Sequence, residues 1–245
     1  MELKIYTKSH DIKSLRKETH NDVPFTSIEK SRISSKESIP NIKELYKRVL
    51  ECKEELSQII KFIERNDIKK IVSIGSSYPI QEYYISKKTG IEILCFDFDK
   101  PVIENTKLIF KNKISLEYYD MNTPLNNIIE LEDKIDCIIF FHSLYIFKNE
   151  QYEKYLEQVK KMKIKYIIDH TAFISTKSLL RGMISHLVKS SIYPILQKFF
   201  PKSDRFYMGK FHGFTRNKSS LEKIYSDSNL RIIKSFKKYF FLKYI

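Results

Sequence analysis

The chain has 245 residues, 44 Lys and Arg against 30 Asp and Glu, a formal net charge of +14 and 42% hydrophobic residues. That length holds one α/β domain with accessory helices, or at most two small domains, and no run of about eighteen apolar residues offers a membrane span. Lysine far outnumbers arginine, glycine is scarce and Trp absent; an AT-rich genome imposes such a composition, so the charge alone does not point to nucleic acid.

Residues 1 to 66 are expected to form an N-terminal arm and a helix that packs on the core. Up to about residue 40 the chain is polar, interrupted by Pro24 and Pro40, and reads as an irregular arm able to fold over a site. Its opening, MELKIYTKSHD, lacks the apolar stretch of a signal peptide. From Ile42 to Ile63, Leu45, Val49, Leu50, Leu56, Ile59, Ile60 and Ile63 recur at helical spacing. Ser38 or Asn41 is placed to cap this helix, and Asn66 with Asp67 to end it. Cys52, Cys95 and Cys137 are an odd number without C-x-x-C spacing. The last two sit inside apolar runs and read as small core residues in a reducing cytoplasm.

The segment from Lys70 to Lys107 organises the rest of the chain. A β-branched run (Ile71, Val72, Ile74) ends at Gly75, Ser76 and Ser77 make a turn, and Pro79 is placed to open a helix. A second apolar run, Ile91 to Phe96, ends on Asp97. Strand, tight turn, helix, strand and acid suit a nucleoside: the glycine lets a ligand approach the backbone, and the acid accepts from ribose hydroxyls. On spacing alone the ligand is NAD or S-adenosylmethionine (SAM). A pyrophosphate calls for several bare backbone N–H groups and hence three glycines; here Gly75 stands alone, which disfavours the dinucleotide.

Further on, Asp99 is the expected cap of a helix over 101–110, and 115–119 is a short strand ending in Asp120-Met121-Asn122. Residues 135–141 form an almost wholly apolar strand, 149–162 an amphipathic helix, and 165–168 a strand ending in Asp169-His170. Residues 176–200 read as helical, with Pro194 expected to kink or split them. The stretch PKSDRFYMGKFHGFTR shows no regular period, 219–225 is a short helix, and Leu230 to Ile245 holds two closely joined strands, an antiparallel hairpin at the sheet edge. Strands alternating with helices predict a doubly wound, mostly parallel sheet.

In such sheets ligands sit beyond the carboxyl ends of the strands. His142 and His170 lie there and His212 lies in the aromatic segment, which makes these three the candidate proton acceptors. Asp120, Asp169 and His170 are the one set that could meet at adjacent strand ends as ligands of a hard cation, but no ligand pair has fixed helical spacing, and no metal is expected.

The order of these parts resembles the class I SAM-dependent methyltransferases, from about residue 68 onward. VSIGSSYP resembles their first motif, CFDFD the second, LEYYDMN the third, and DCIIFFHSLYIF the fourth strand and its turn. The resemblance implies a seven-stranded sheet, SAM as cofactor and S-adenosyl-L-homocysteine (SAH) as product. The implied cofactor contacts are Ser73, Gly75, Ser76 and Ser77, then Asp97 and Phe98, then Asp120 and Met121 at the adenine, and Phe141. Ser73 stands where the family often has an acid that holds the SAM amino group. The fourth strand ends in FFHS, not the Asn/Asp-Pro-Pro-Tyr signature of base-amine methylation, and no Pro-Cys nucleophile is present.

Residues 174–216 fall where this fold places substrate-recognition elements. Tyr145, Arg181, Tyr207 and Arg216 are the expected substrate contacts, since cations and aromatics suit an anionic or sugar-containing small molecule. The leading expectation is therefore a cytoplasmic methyltransferase, O-directed, on a polar or anionic metabolite such as a surface-glycan precursor. An RNA methyltransferase, or a SAM-fold scaffold that has lost catalysis, are the alternatives; the sequence leaves the oligomeric state open.

Overall fold

A computed structural model describes residues 2–7, 42–111, 113–121, 123–127, 134–141, 143–171, 173–199 and 210–245. Strand β1 (Glu2–Thr7) is followed by helices α1 (Ile42–Glu51) and α2 (Lys53–Arg65), strand β2 (Lys70–Ile74), helix α3 (Ile80–Thr89) and strand β3 (Glu92–Asp97). Next come α4 (Lys100–Phe110), β4 (Leu116–Tyr118), β5 (Cys137–Phe141), α5 (Asn149–Lys161) and β6 (Tyr166–His170). The chain closes with β7 (Phe173–Ile174), α6 (Thr176–Phe199), β8 (Lys210–Asn217), α7 (Lys218–Asp227), β9 (Leu230–Phe236) and β10 (Tyr239–Tyr244).

Seven strands form the main sheet in the order β4-β3-β2-β5-β6-β10-β9. The first five run parallel, and β10 pairs antiparallel with both β6 and β9. The expected doubly wound sheet and its terminal hairpin are both present. Because successive side chains point to opposite faces, Ile71 and Val72 enter two different cores. One holds Val72, Ile74, Ile138, Phe140 and Ile167 under α5 and α7. The other holds Ile71, Cys95, Cys137, Ile139 and Ile168 under α1 to α4, so residues 42–65 belong to the sheet's own core. Burial on both faces explains the unbroken apolar run of β5.

Local signals place the ends of elements. The Asp99 side chain accepts from Val102 N–H at 3.4 Å and caps α4, and Asn217 caps α7 through Ser220 N–H at 3.0 Å. Asn66 follows α2 as expected, its side chain donating to Phe62 O at 2.8 Å.

Four expectations need correction. Residues 2–7 are a strand, paired antiparallel with β8 in a second sheet of order β1-β8-β7; the alternation of MELKIYT is a strand period. The expected single helix over 42–63 is two, because Cys52 between them leaves helical geometry at φ −105°, ψ 16°. Helix α6 is not split at Pro194 and continues to Phe199; the proline lies in its last turns, where the backbone donor it lacks costs little of a long helix. Residues 210–217, read as lacking a period, are strand β8. Ser38 and Asn41 lie outside the described residues.

Candidate functional site

A cavity of about 550 Å³ opens at the carboxyl ends of β2, β3, β5 and β6, within the range of small-molecule and cofactor sites. Its floor is the turn after β2. Gly75 has φ +77°, and a Cβ there would lie 2.5 Å from the Ser143 Cβ. So the glycine is required by its left-handed backbone and by the approach of the chain after β5. Gly75 itself also lines the cavity. Ser143 Oγ donates to Ile74 O at 3.0 Å and ties the two turns together.

The donors of this turn point at β3. Gly75 N–H and Ser76 N–H both donate to Phe96 O, at 2.9 and 3.2 Å. Ser77, at φ +51°, donates its N–H to Asp97 Oδ2 at 2.8 Å. Asp97 also accepts from Asp99 N–H, at 3.0 Å on Oδ1, and lies buried in the cavity wall. Three consecutive N–H groups that would cradle a pyrophosphate in a glycine-rich loop are committed to the neighbouring strand.

The second acid in the wall is one the sequence reading missed. Glu82, in the first turn of α3, is 1% exposed and lines the cavity. Ser73 Oγ donates to its Oε1 at 2.8 Å, and Ser76 Oγ reaches Ser73 Oγ at 3.0 Å. Burial raises the Glu82 carboxyl to about 7, opposed by its backbone and serine hydrogen bonds and assisted by the Asp97 charge. A buried carboxylate carried by the helix nine residues later thus meets the Ser73 hydroxyl. A glutamate one turn after Pro79, on a helix that packs against the strand carrying Ser73, was the available signal.

Of the other expected cofactor contacts, Ser76, Ser77, Phe98, Met121 and Phe141 line the cavity. Ser73 lies beneath it, fully buried. Asp120 is not in the lining; its carbonyl oxygen accepts from Thr123 N–H at 2.9 Å and its hydroxyl at 2.7 Å. Tyr119 beside it does line the cavity, held by Tyr155 Oη at 2.9 Å, with burial pushing its hydroxyl up to about 12. The end of α1 adds Arg48 and Glu51 to the wall, and Cys52 follows; burial, then Glu55 and Glu51, push the Cys52 thiol up.

His170 lines the cavity at the end of β6. Its ring stacks on Tyr239 with centroids 4.0 Å apart and planes at 6°, and meets Phe141 edge-on at 6.3 Å. Asp169, one residue earlier, points the other way because strand side chains alternate. It accepts from Tyr225 Oη at 2.6 Å, Thr171 Oγ1 at 2.6 Å and Tyr152 Oη inside the core. That alternation separates the Asp120, Asp169 and His170 set. Among the described residues no group of His, Cys, Asp and Glu could hold a metal ion.

Tyr145 lines the cavity, while the cationic substrate candidates lie elsewhere. Arg181 is exposed on α6. Arg216 is 1% exposed, its Nε donating to Asn149 Oδ1 at 2.7 Å and a terminal nitrogen to Phe147 O. The Tyr152 and Phe214 rings flank it at 5.4 and 5.8 Å. On β8, Phe214 and Arg216 alternate onto the buried face, which the aperiodic reading of this segment concealed. His142 and Tyr207 lie outside the described residues, as does the side chain of His212.

No protein-family model matches the chain, and no curated protein sequence matches it. Solved structures do. The magnesium protoporphyrin IX methyltransferase of Synechocystis PCC 6803, with bound SAH, superposes at TM-score 0.52 and 8% identity over 90% of this chain and 94% of its own. The mitomycin 7-O-methyltransferase gives 0.55 and 13% over 92% of this chain and 62% of its own. An O-methyltransferase family protein from Burkholderia thailandensis gives 0.53 and 8% over 78% and 55%. The chain therefore spans under two thirds of the last two. With the strand order and the antiparallel β10, these likenesses establish the fold as that of the class I SAM-dependent methyltransferases.

Proposed function

We propose that the chain is a SAM-dependent methyltransferase acting on a small-molecule hydroxyl. The observation that carries this is the turn after β2. Its three N–H groups are spent on Phe96 O and Asp97, which leaves a nucleoside site suited to a ligand without phosphates. SAM is such a ligand: ribose hydroxyls for Asp97, and a cationic ammonium for Glu82 on its serine relay.

In the reaction a bond forms between the acceptor oxygen and the methyl carbon as the carbon–sulfur bond breaks, and SAH leaves. The acceptor proton goes to His170, the described imidazole in the cavity wall. The aromatic wall of Phe141, Tyr145 and Tyr78 excludes water and orients the acceptor. Supporting a small acceptor, two of the structural neighbours are methyltransferases named for small molecules, magnesium protoporphyrin IX and mitomycin. A polar or anionic metabolite, such as a glycan precursor, fits Arg48 and the tyrosines; the proposed compartment is the cytoplasm.

The test is transfer of labelled methyl from SAM to a panel of hydroxylated metabolites, after mass spectrometry of the purified protein for co-purified SAM or SAH. His170→Ala is expected to lower turnover by roughly 10²–10⁴-fold while SAH affinity stays within about twofold. Bound NAD in place of SAM would contradict the reading. Tight SAM binding with no transfer to any acceptor would favour the scaffold alternative.

A further inference from the structure

Helix α6 carries no acidic residue over its 24 positions, TKSLLRGMISHLVKSSIYPILQKF. Ser175 caps it, accepting from Ser178 N–H at 3.1 Å. Its inner side is fixed by Leu179, fully buried, and by Gly182, where a Cβ would lie 2.4 Å from the Leu3 side chain of β1. A helix seated this way presents polar residues outward in an ordinary globular protein. Here Leu180, Ile184, Leu187, Val188, Ile192 and Ile195 face outward, each between 45% and 64% exposed. Their spacing of i, i+4, i+7, i+8, i+12 and i+15 is one continuous stripe, and Phe199, 73% exposed, extends it. Lys177, Arg181, Lys189 and Lys198 sit along the helix, Lys177, Arg181 and Lys198 within the stripe's arc and Lys189 beside it, all exposed.

We propose that α6 docks the protein on an anionic lipid surface, lying in the plane of the lipid–water interface with its apolar stripe at the headgroup–acyl boundary and the charged ends of Lys177, Arg181 and Lys198 reaching back to the headgroups. The charge decides for lipid over another protein: cations without any acid complement a negatively charged headgroup layer, in a chain whose net charge is +14. The apolar stripe decides for lipid over nucleic acid, since counterion release needs no exposed leucine or isoleucine. The helix lies on the bilayer and does not cross it, for no helix of the described residues is long and apolar enough to span. This inference is independent of the methyltransferase reading.

The full chain is tested by flotation with vesicles of pure phosphatidylcholine and of phosphatidylcholine mixed with phosphatidylglycerol. Partition to the mixed vesicles is expected to be at least tenfold stronger, because each lysine or arginine near an anionic surface contributes roughly fivefold. The paired change Ile184→Asp and Leu187→Asp should abolish it while leaving SAH affinity and the thermal transition unchanged. The chain contains no Trp, so Leu187→Trp supplies a single fluorophore, whose emission should shift to the blue with mixed vesicles and not with phosphatidylcholine alone. This second readout stands if the aspartate variant does not fold. The proposal is overturned if the protein does not float, or floats equally with both vesicles. It is equally overturned if Ile184→Asp with Leu187→Asp instead splits a dimer, or if Lys177→Glu with Arg181→Glu removes RNA binding and leaves flotation intact.

Discussion

Glu82 shows how one residue can be invisible in a motif and central in space. The first motif reads as deficient at Ser73, yet Ser73 Oγ is 2.8 Å from a buried carboxylate carried by the next helix. Burial raises that carboxyl from 4.5 to about 7. A raised acid pKa means that the folded protein holds the proton more tightly than the unfolded chain. Its stabilising effect is complete below about pH 4.5 and is lost as pH rises through 7; the effect is on the order of 3 kcal/mol. Without ligand, the wild type should lose stability across that window relative to Glu82→Gln, as thermal melts at pH 5 and pH 8 would show. Parallel curves for the two proteins would contradict the assignment. If the ionised carboxylate holds the ligand's ammonium, SAH affinity should rise roughly tenfold from pH 6 to pH 8 in the wild type and stay flat in Glu82→Gln.

At the scale of elements, what the sequence made legible was what local patterning controls. The periods of the main-sheet strands, the cap Asp99, the apolar run of β5 and the closing hairpin could be read directly, and they locate the strand ends where the cavity lies. What could not be read depended on distant partners. Strand β1 pairs with β8 across more than two hundred residues, and no local signal names that partner. Arg216 suffers the same blindness: a cation beside aromatics resembles a substrate contact until β8 is known to turn it inward. It lies in the core with Tyr152 and Tyr225, near Asp169, whose raised carboxyl is due first to burial and is opposed by hydrogen bonds from Thr171, Tyr152 and Tyr225 and by the Arg216 charge. Arg216→Ala should therefore destabilise the fold by about 2–3 kcal/mol, since it removes buried hydrogen bonds from a charged group and leaves Asn149 Oδ1 and Phe147 O without them. Urea unfolding measures this. A variant of unchanged stability with a raised acceptor KM would restore the substrate-binding role.

For the whole molecule, the sheet order brings four turns from distant parts of the chain to one end, and none of them is a site alone. The turn after β2 contributes geometry, the end of β3 the buried Asp97, α3 the buried Glu82, and the end of β6 the His170 ring; α1 closes the wall. Among the described residues no lysine lines this cavity. The central claim is that the cavity is a SAM site whose ribose acid is Asp97. Titration calorimetry of the purified chain with SAH tests it most directly. The account predicts one site of micromolar affinity, weakened at least tenfold in Asp97→Ala, because a hydrogen bond to a charged carboxylate is worth roughly 1.5–3 kcal/mol. Absent binding, or an affinity that Asp97→Ala leaves unchanged, would contradict it.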